Sequence, residues 1–294
     1  MSRPPLTAGL ALVLAILAVS WGAILVRLCQ APSLVIAFYR LGLATVLLIP
    51  FALKTGGGAF LSAGRKRLLV VSSGLLLAVH FAAWITSLSY TTVASSVVLV
   101  STQPLFSALF SGVYLKEKAP PRFYAGVAVA LAGTAVIAGG DLSLSAGRLK
   151  GDILALAGAA AASGYFIIGR RVREEMRFFH YLTLVYGFSA LFLGVAAAAS
   201  GENVFKVAPS DLPWLLLMAA GPSVVGHGCF NWAVRKLPVF TVNLAAFGEP
   251  VLASLYAFLL LGEPLAASLW AGGVLVFTGI LLALPRRAQG PPAA

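Results

Sequence analysis

The sequence predicts an all-α membrane protein with ten transmembrane helices, arranged as two inverted five-helix repeats with the N- and C-termini in the cytoplasm. Three observations predict this fold class: the apolar composition, a succession of long apolar runs, and an internal similarity at a fixed offset. Of the 294 residues, 60% are hydrophobic and only 10% are charged, and the mean hydropathy is +0.96. Because soluble domains carry about 25% charged residues, this composition is typical of a chain that lies mostly within a bilayer.

Ten apolar runs are long enough to cross a bilayer, since a spanning helix needs about 20 apolar residues. The connections between them are short, and none is long enough to hold a soluble domain. The chain is therefore predicted to be a single transmembrane domain over 1–294. The predicted spans are 6–26, 32–53, 68–88, 92–115, 121–139, 151–169, 180–199, 212–234, 239–261 and 266–285.

The distribution of lysine and arginine predicts the orientation. With a cytoplasmic N-terminus, the inner segments hold sixteen of the 21 basic residues and the outer segments hold four, while Arg40 lies inside a span. Cytoplasmic connections are enriched in these residues, so both termini are predicted to be inside the cell. The formal charge of +12 comes from short clusters between apolar runs. It therefore does not indicate a nucleic-acid partner, which requires a continuous basic stripe.

The second half of the chain is similar to the first at an offset of 146 residues. Glu249-Pro250 in the ninth span corresponds to Gln103-Pro104 in the fourth, and the similarity continues without a gap. The other matching pairs are Leu115 and Leu261, Glu117 and Glu263, Gly126 and Gly272, and Gly133 and Gly279.

This similarity predicts two repeats, 6–139 with helices 1–5 and 151–285 with helices 6–10. An odd number of spans in each copy turns the second copy upside down relative to the first. Inverted repeats whose broken helices meet near the midplane are typical of secondary transporters, in which the site lies at the repeat interface.

Each repeat places a polar residue and a proline in the middle of its fourth span. Proline cannot donate a backbone hydrogen bond, so Pro250 frees the carbonyl of Ala246 and Pro104 frees that of Val100. Glu249 adds a charge at a depth where charge costs about 2.5–3.5 kcal/mol, which favours an enclosed or watery surrounding. Pro104 and Pro250 are predicted hinges, with fixed kinks as the alternative.

Three stretches carry a family resemblance: AFYRLGLA around Arg40, the run from His80 to Glu117, and GEPVLASLYAFLLLGE from Gly248 to Glu263. Through them the chain resembles the drug/metabolite transporter superfamily, and in particular its EamA-type ten-helix permeases. The resemblance covers nearly the whole chain and implies a carrier whose fourth and ninth helices contribute to a central cavity. Similar members include exporters of amino acids and other metabolites, among them aromatic amino acid exporters, and uptake carriers for other solutes.

Glu249 and Gln103 occupy equivalent positions and are the first candidates for substrate binding. The Glu249 carboxylate can bind a substrate ammonium group or take up a proton during transport, so it is also the candidate for proton coupling. The alternative is structural, because either side chain can hydrogen-bond or stabilise the backbone that the neighbouring proline disrupts.

The third and eighth helices share a second polar pattern. His80 and Trp84 correspond to His227 and Asn231 at an offset of 147, which requires one inserted residue. Each pair is spaced i, i+4 and lies on one helical face, and a polar face normally turns away from lipid. All four are predicted to bind substrate, by hydrogen bonding or by stacking on Trp84. Hydrogen bonds between helices and ordinary packing are the alternatives.

Trp21 and Tyr165 lie where the first and sixth helices interrupt their aliphatic runs, and Tyr39 adds a polar tip in the second helix. These three are also predicted to contribute to substrate binding, with packing as the alternative. Arg40 is expected to form a structural ion pair or to extend toward the outer surface, and anion binding is its alternative role.

Two further sets of residues are assigned structural roles. Glu117 and Glu263, at helix ends near basic connections, are expected to anchor the helix ends or to pair with loops. Glycines spaced by seven predict close helix contacts, within the protomer or between copies. These glycines are Gly126, Gly133, Gly272 and Gly279.

The residue inventory favours a carrier over an enzyme or a channel. No HExxH, GxSxG or P-loop motif accompanies the three histidines, so the chain is predicted not to be an enzyme. Cys29 and Cys229 are isolated, and neither a metal nor a cofactor is predicted. A channel requires a continuous lined pore, whereas the polar residues here cluster near midspan.

The predicted function is secondary or facilitative transport across a bacterial-type inner (plasma) membrane by alternating access through a central cavity. The expected substrate is a small, amino acid-like metabolite, aromatic ones included, and export is favoured. The alternatives are an intramembrane enzyme, a channel-like pore, or an uptake carrier for an amine, sugar or nucleotide sugar. The predicted partners are the small-molecule substrate and the lipid bilayer, and the protein is predicted to be a monomer or a homodimer.

Overall fold

A computed structural model of the protein describes residues 6–55, 65–91, 93–137, 146–261 and 267–284, and these ranges are helical and contain no strand. The α-helices are α1 (Leu6–Val19), α2 (Gly22–Leu28), α3 (Ser33–Lys54), α4 (Arg65–Ser87), α5 (Val93–Val100), α6 (Gln103–Phe110), α7 (Pro121–Ile137), α8 (Ala146–Val172), α9 (Phe178–Ala199), α10 (Leu212–Met218), α11 (Gly228–Ala233), α12 (Val239–Leu244), α13 (Gly248–Leu261) and α14 (Ala267–Ala283). π-helical segments at Ser111–Leu115 and Ala219–His227 and 3₁₀ segments at Pro209–Asp211 and Ala245–Phe247 complete the described helices.

Within the described ranges, eight helical runs are long and apolar enough to cross a membrane. Two shorter apolar helices, α7 and α14, contain 17 residues each. A helix occupies each of the ten predicted segments. The predicted ends of the repeats at 139 and 285 and the predicted anchor Glu263 lie outside the described residues.

Several spans are broken near their middle, and two of the breaks coincide with the predicted prolines. Helix α5 ends at Val100, and α6 begins at Gln103 with Pro104 in its first turn. Before Pro250, the backbone takes the tighter 3₁₀ form over Ala245–Phe247. In both places the break lies four residues before the proline. The carbonyl there receives no backbone hydrogen bond, because proline has no N–H. A third break, at Ser20 and Trp21, separates α1 from α2.

The helix of the eighth predicted span contains the long π-helical segment Ala219–His227. A π-helical turn takes up more residues than an α-helical turn, so a one-residue insertion can be absorbed within a continuous helix. This segment ends at His227. Pro222 lies within it and removes one backbone donor.

The helices of the two halves pack against each other in matched pairs. Helix α3 packs against α9, α6 against α12, and α7 against α14. In addition, α4 packs against α8, while α1 packs against the π-helical segment and α11. The buried apolar core between them runs through most of these helices, with a second cluster where α7 and α14 meet α12.

Polar contacts join the connections at the two ends of the bundle. At one end, called here the Arg170 end, Arg170 Nη2 lies 3.2 Å from Glu117 Oε1, and Lys66 pairs with Glu175. At the other, called the Asp211 end, the backbone N–H of Gln30 donates to Asp211 Oδ1 at 3.1 Å, and the Thr91 hydroxyl donates to Asp152. Each contact therefore joins connections that the sequence places on the same side of the membrane.

The predicted glycine contacts are confirmed, and they join α7 to α14. A Cβ atom built on Gly133 would lie 2.6 Å from the carbonyl oxygen of Gly272, and one built on Gly272 would lie 2.5 Å from that of Gly133. Gly126 and Gly279 meet in the same way one heptad away. The two backbones therefore touch along this face without an intervening side chain, as small residues allow in membrane helices.

Gly133→Ala should lower the free energy of unfolding by about 1–3 kcal/mol, because the added methyl group forces two backbones apart. Gly273→Ala on α14 is the matched control, since a Cβ there meets no atom within 4 Å. Denaturation in detergent micelles measures both variants. Equal stability of the Gly133 variant, the Gly273 variant and the unchanged protein would contradict the backbone contact.

Candidate functional site

A cavity lies near the middle of the bundle. Side chains from both halves of the chain form its wall. Five of the nine predicted substrate-binding residues line it: Glu249, Gln103, His80, Trp84 and His227. The breaks before Pro104 and Pro250 place Gln103 and Glu249 at this depth, since each follows directly on an interrupted helix.

Tyr165 and Asn231 are brought together, but behind the cavity wall. Both are fully buried, and the Asn231 amide donates to the Tyr165 hydroxyl and, at 2.7 Å, to the carbonyl oxygen of His227. This hydrogen-bonded pair joins α8 to α11 and fixes the helix that carries His227. The arrangement corresponds to the packing alternative for these two residues.

Trp21 and Tyr39 also lie away from the cavity lining. Trp21 is 36% exposed and packs against Tyr256, with 4.9 Å between ring centroids. The Tyr39 hydroxyl donates to the carbonyl oxygen of Val204 at 2.9 Å, in the connection between α9 and α10. Their roles in substrate binding stay predictions.

Arg40 differs from its expected role, because it lies in the cavity wall and is only 2% exposed. It does not extend to the outer surface, and no acidic residue pairs with it among the described ion pairs. Its Nε donates to the Ser223 hydroxyl at 2.8 Å, and its guanidinium stacks over the Phe81 ring at 4.3 Å. The Nη1 atom is buried and has no hydrogen-bond partner.

Glu249 is the acidic residue that lines the same cavity as Arg40. It is partly buried, and its carboxylate makes no ion pair with Arg40 or another described residue. The cavity therefore brings one guanidinium and one carboxyl group together, and no described ion pair joins them.

The two histidines form an aromatic cluster beside these charges. His80 Nδ1 donates to the carbonyl oxygen of Gly158 at 2.9 Å, and its ring lies nearly parallel to that of Trp84. The His227 ring is 6.3 Å from that of His80, and its buried Nδ1 lacks a hydrogen-bond partner. His227 can therefore hydrogen-bond a solute in the cavity.

Sequence reasoning missed several lining residues that a stronger use of the repeat would have found. Gln103 and Glu249 line the cavity together with the residues three and six positions before them, and this spacing keeps all of them on one helical face. These are Val100 and Val97 in one copy, and Ala246 and Asn243 in the other. Phe81 and Phe230 carry no such signal, because they lie in apolar runs next to the predicted histidines.

A chain of hydrogen bonds connects the helices of the fourth, sixth and ninth predicted spans behind the face that lines the cavity. The Asn243 amide donates to the Ser107 hydroxyl, which donates to the Ser163 hydroxyl at 3.1 Å. Ser163 also lies 2.9 Å from the carbonyl oxygen of Gln103. That contact holds the interrupted backbone next to Pro104 in place. No cluster of three potential metal ligands occurs in the described ranges.

Comparison with known families identifies the kind of protein to which this site belongs. The sequence profile of the EamA-like transporter family matches residues 6–139 and again residues 149–284. The chain belongs to the EamA-like transporter family. With its apolar helices, it is a multi-pass membrane protein of a transporter family.

Two relatives of this chain differ from it at most positions. An uncharacterized transporter of Archaeoglobus fulgidus is 27% identical over 285 residues, covering 95% of this chain and 97% of the relative. A probable terminal-alkyne amino-acid exporter of Streptantibioticus cattleyicolor is 25% identical, covering 65% of this chain and 64% of the relative. A solved crystal structure has the same fold, with a TM-score of 0.80 at 19% identity over 94% of this chain and 96% of that one.

Ser223→Ala should destabilise the protein by about 1.5–3 kcal/mol, because it removes a hydrogen bond to the buried Arg40 cation. Ser73→Ala is the comparison, since it removes a buried hydroxyl pair with Tyr181 that has no charge and costs about 0.5–1.5 kcal/mol. Unfolding in detergent micelles measures both. A smaller loss for the Ser223 variant would show that this hydroxyl does not support Arg40.

Proposed function

We propose that the protein is a secondary or facilitative transporter that moves a small, amino acid-like metabolite across a bacterial-type inner membrane by alternating access. The observation that carries the proposal is the cavity at midspan, where interrupted helices of both halves meet around a few polar groups. Sites of this kind, built from broken helices at the interface of two repeats, are typical of secondary transporters. Family and relatives' names likewise indicate transport rather than catalysis.

The proposed architecture is one domain over 1–294 with ten membrane-spanning helices, divided into repeats at 6–139 and 151–285. The 17-residue helices α7 and α14 support the repeat, since α14 begins and ends 146 positions after α7. The helix pairs that pack together also support a two-fold relation between the two halves. The helix of the third predicted span packs against that of the sixth, and the helix of the eighth packs against that of the first in the same way.

The proposed orientation places both termini in the cytoplasm and the Arg170 end on the cytoplasmic side. The bias of lysine and arginine toward these connections supports it. Lipid surrounds the bundle, and the protein acts as a monomer or a homodimer.

Contacts at the Arg170 end suggest how access from that side is closed. Arg170 donates to the carbonyl oxygens of Val234 and Leu237 and pairs with Glu117. Glu117 belongs to the first proposed repeat, and the other three residues belong to the second. We propose that this set, called here the Arg170 latch, holds the two repeats together when the cavity is closed to the cytoplasm.

The cavity contents support a modestly polar substrate with an apolar part. Aromatic side chains form much of the wall, and Arg40 is the one lysine or arginine that lines it within the described residues. A polyanion would require several cations at this depth. Export of an amino acid-like solute is favoured because a relative is named as a probable amino-acid exporter.

The proposed function is tested with purified protein in liposomes, which should move labelled amino acids without ATP and should saturate. A panel of amino acids, amines, sugars and nucleotide sugars, with and without a pH gradient, identifies the substrate class. Glu249→Gln should change the transport rate or remove its dependence on the pH gradient, since the amide cannot take up a proton. Glu174→Gln, at an exposed position without a described ion pair, is the control.

A chemically altered product in this assay would instead identify an enzyme, and electrogenic flux without saturation would identify a channel. Unchanged pH-dependent transport by the Glu249 variant would remove that residue from proton coupling.

Arg170→Gln should open the cavity to the cytoplasmic side, because it removes the Arg170–Glu117 ion pair that joins the two repeats. In a variant without Cys29 and Cys229, a cysteine placed at Ser101 in the cavity wall reports access. Labelling by a membrane-impermeant maleimide from that side should become about tenfold faster, as expected for a shift of 1.4 kcal/mol. Arg171→Gln, an exposed neighbour, is the control. Equal labelling rates for both variants would rule out the latch.

A further inference from the structure

We propose that Arg40 and Glu249 bind the two charged groups of a zwitterionic α-amino acid, with the substrate carboxylate on Arg40 and the ammonium group on Glu249. This pair is called here the zwitterion site. The inference rests on the proposed transport function, and it assigns the recognition of the substrate backbone to two side chains of the cavity.

Arg40 provides the first part of the argument, because it is a buried cation without a counter-ion in contact. Its Nε donates a hydrogen bond to the Ser223 hydroxyl, while Nη1 has no hydrogen-bond partner. A buried donor without a partner is costly, and for a charged group the cost is larger still. A carboxylate entering from the cavity would remove this cost, since guanidinium groups bind carboxylates with two parallel hydrogen bonds.

The aromatic rings around Arg40 fix the plane of its guanidinium. The Phe81 ring lies 4.3 Å from Cζ of Arg40, and that of Trp84 lies 6.0 Å from it. With Ser223 holding Nε on one edge, the guanidinium cannot rotate freely. A planar and preoriented group of this kind suits a carboxylate better than a flexible lysine does.

Glu249 provides the second part of the argument. Its carboxylate lines the cavity, is not fully buried, and has no ion pair with a described residue. Glu249 and Arg40 line the same cavity, yet no ion pair joins them among the described contacts. A ligand that carries both opposite charges can pair with the two groups at once.

The balance of charge favours a zwitterion over other solutes of similar size. Among the described lining residues, Arg40 is the one arginine or lysine and Glu249 is the one acidic residue. A simple amine would leave Arg40 unpaired, and a simple carboxylate would leave Glu249 unpaired. The rest of the wall, including Phe81, Trp84, Phe166 and Phe230, favours an apolar or aromatic substrate side chain.

The test compares three ligands with the same side chain: phenylalanine, phenethylamine without the carboxylate, and 3-phenylpropanoate without the ammonium group. A second series uses leucine, 3-methylbutylamine and 4-methylpentanoate. Affinity is measured by competition with labelled amino acid in proteoliposomes and by thermal stabilisation of the purified protein. At least one amino acid should bind about tenfold or more tightly than both of its analogues, because each missing group loses a charge-assisted hydrogen bond.

Two variants assign the charged groups to the two side chains. Arg40→Gln should remove the advantage of the amino acid over the amine, and Glu249→Gln should remove its advantage over the carboxylate. A merely structural role would lower the affinity for all three ligands together and would not produce this crossed pattern. Arg171→Gln and Glu174→Gln control for the loss of a charge at exposed positions. Should Arg40→Gln not fold, Arg40→Lys takes its place, and the ligand series with unchanged protein decides.

Equal affinity for the amino acid and either analogue would overturn the zwitterion site, as would parallel losses for all ligands in both variants. Transport of sugars or amines with no response to amino acids would overturn it while leaving the proposed carrier function intact. If no solute of any class is moved or bound, the carrier function itself fails.

Discussion

The structure depends on how it holds a guanidinium cation at membrane depth. A charge at the centre of a bilayer costs about 2.5–3.5 kcal/mol on insertion scales, so Arg40 requires an enclosed and partly polar surrounding. Ser223, Phe81 and Trp84 supply it from two other helical runs, and Glu249 supplies the opposing charge. The interrupted helices serve the same purpose, because a broken helix brings polar groups to a depth where an unbroken one presents only its side chains.

Much of the fold follows from local features of the sequence, and these features predicted it well. Apolar runs of sufficient length can only be helices in a bilayer, so the helical segments were accessible from hydropathy alone. The breaks before Pro104 and Pro250 follow from the missing N–H of proline, whose effect is confined to one helical turn. The i, i+4 spacing likewise placed His80 and Trp84 on one helical face, and both line the cavity.

The directions of the side chains were less accessible, because helices that are apolar on all sides do not indicate which face turns inward. Tyr165 and Asn231 point at each other rather than into the cavity, and Trp21 packs against Tyr256. Arg40 turns inward because Ser223 and Phe81 receive it there, and both lie far away in sequence. Such choices are made by contacts between distant helices, which a single sequence does not specify.

The glycine contact between α7 and α14 has a consequence for how such a chain can diverge. Gly133 and Gly272 each occupy the space that a side chain on the other would need, so a larger residue at one position cannot be relieved by a smaller residue at its partner. Substitution is blocked from both sides at once. Where α7 and α14 touch, the backbone contact itself therefore determines the residue type on both helices.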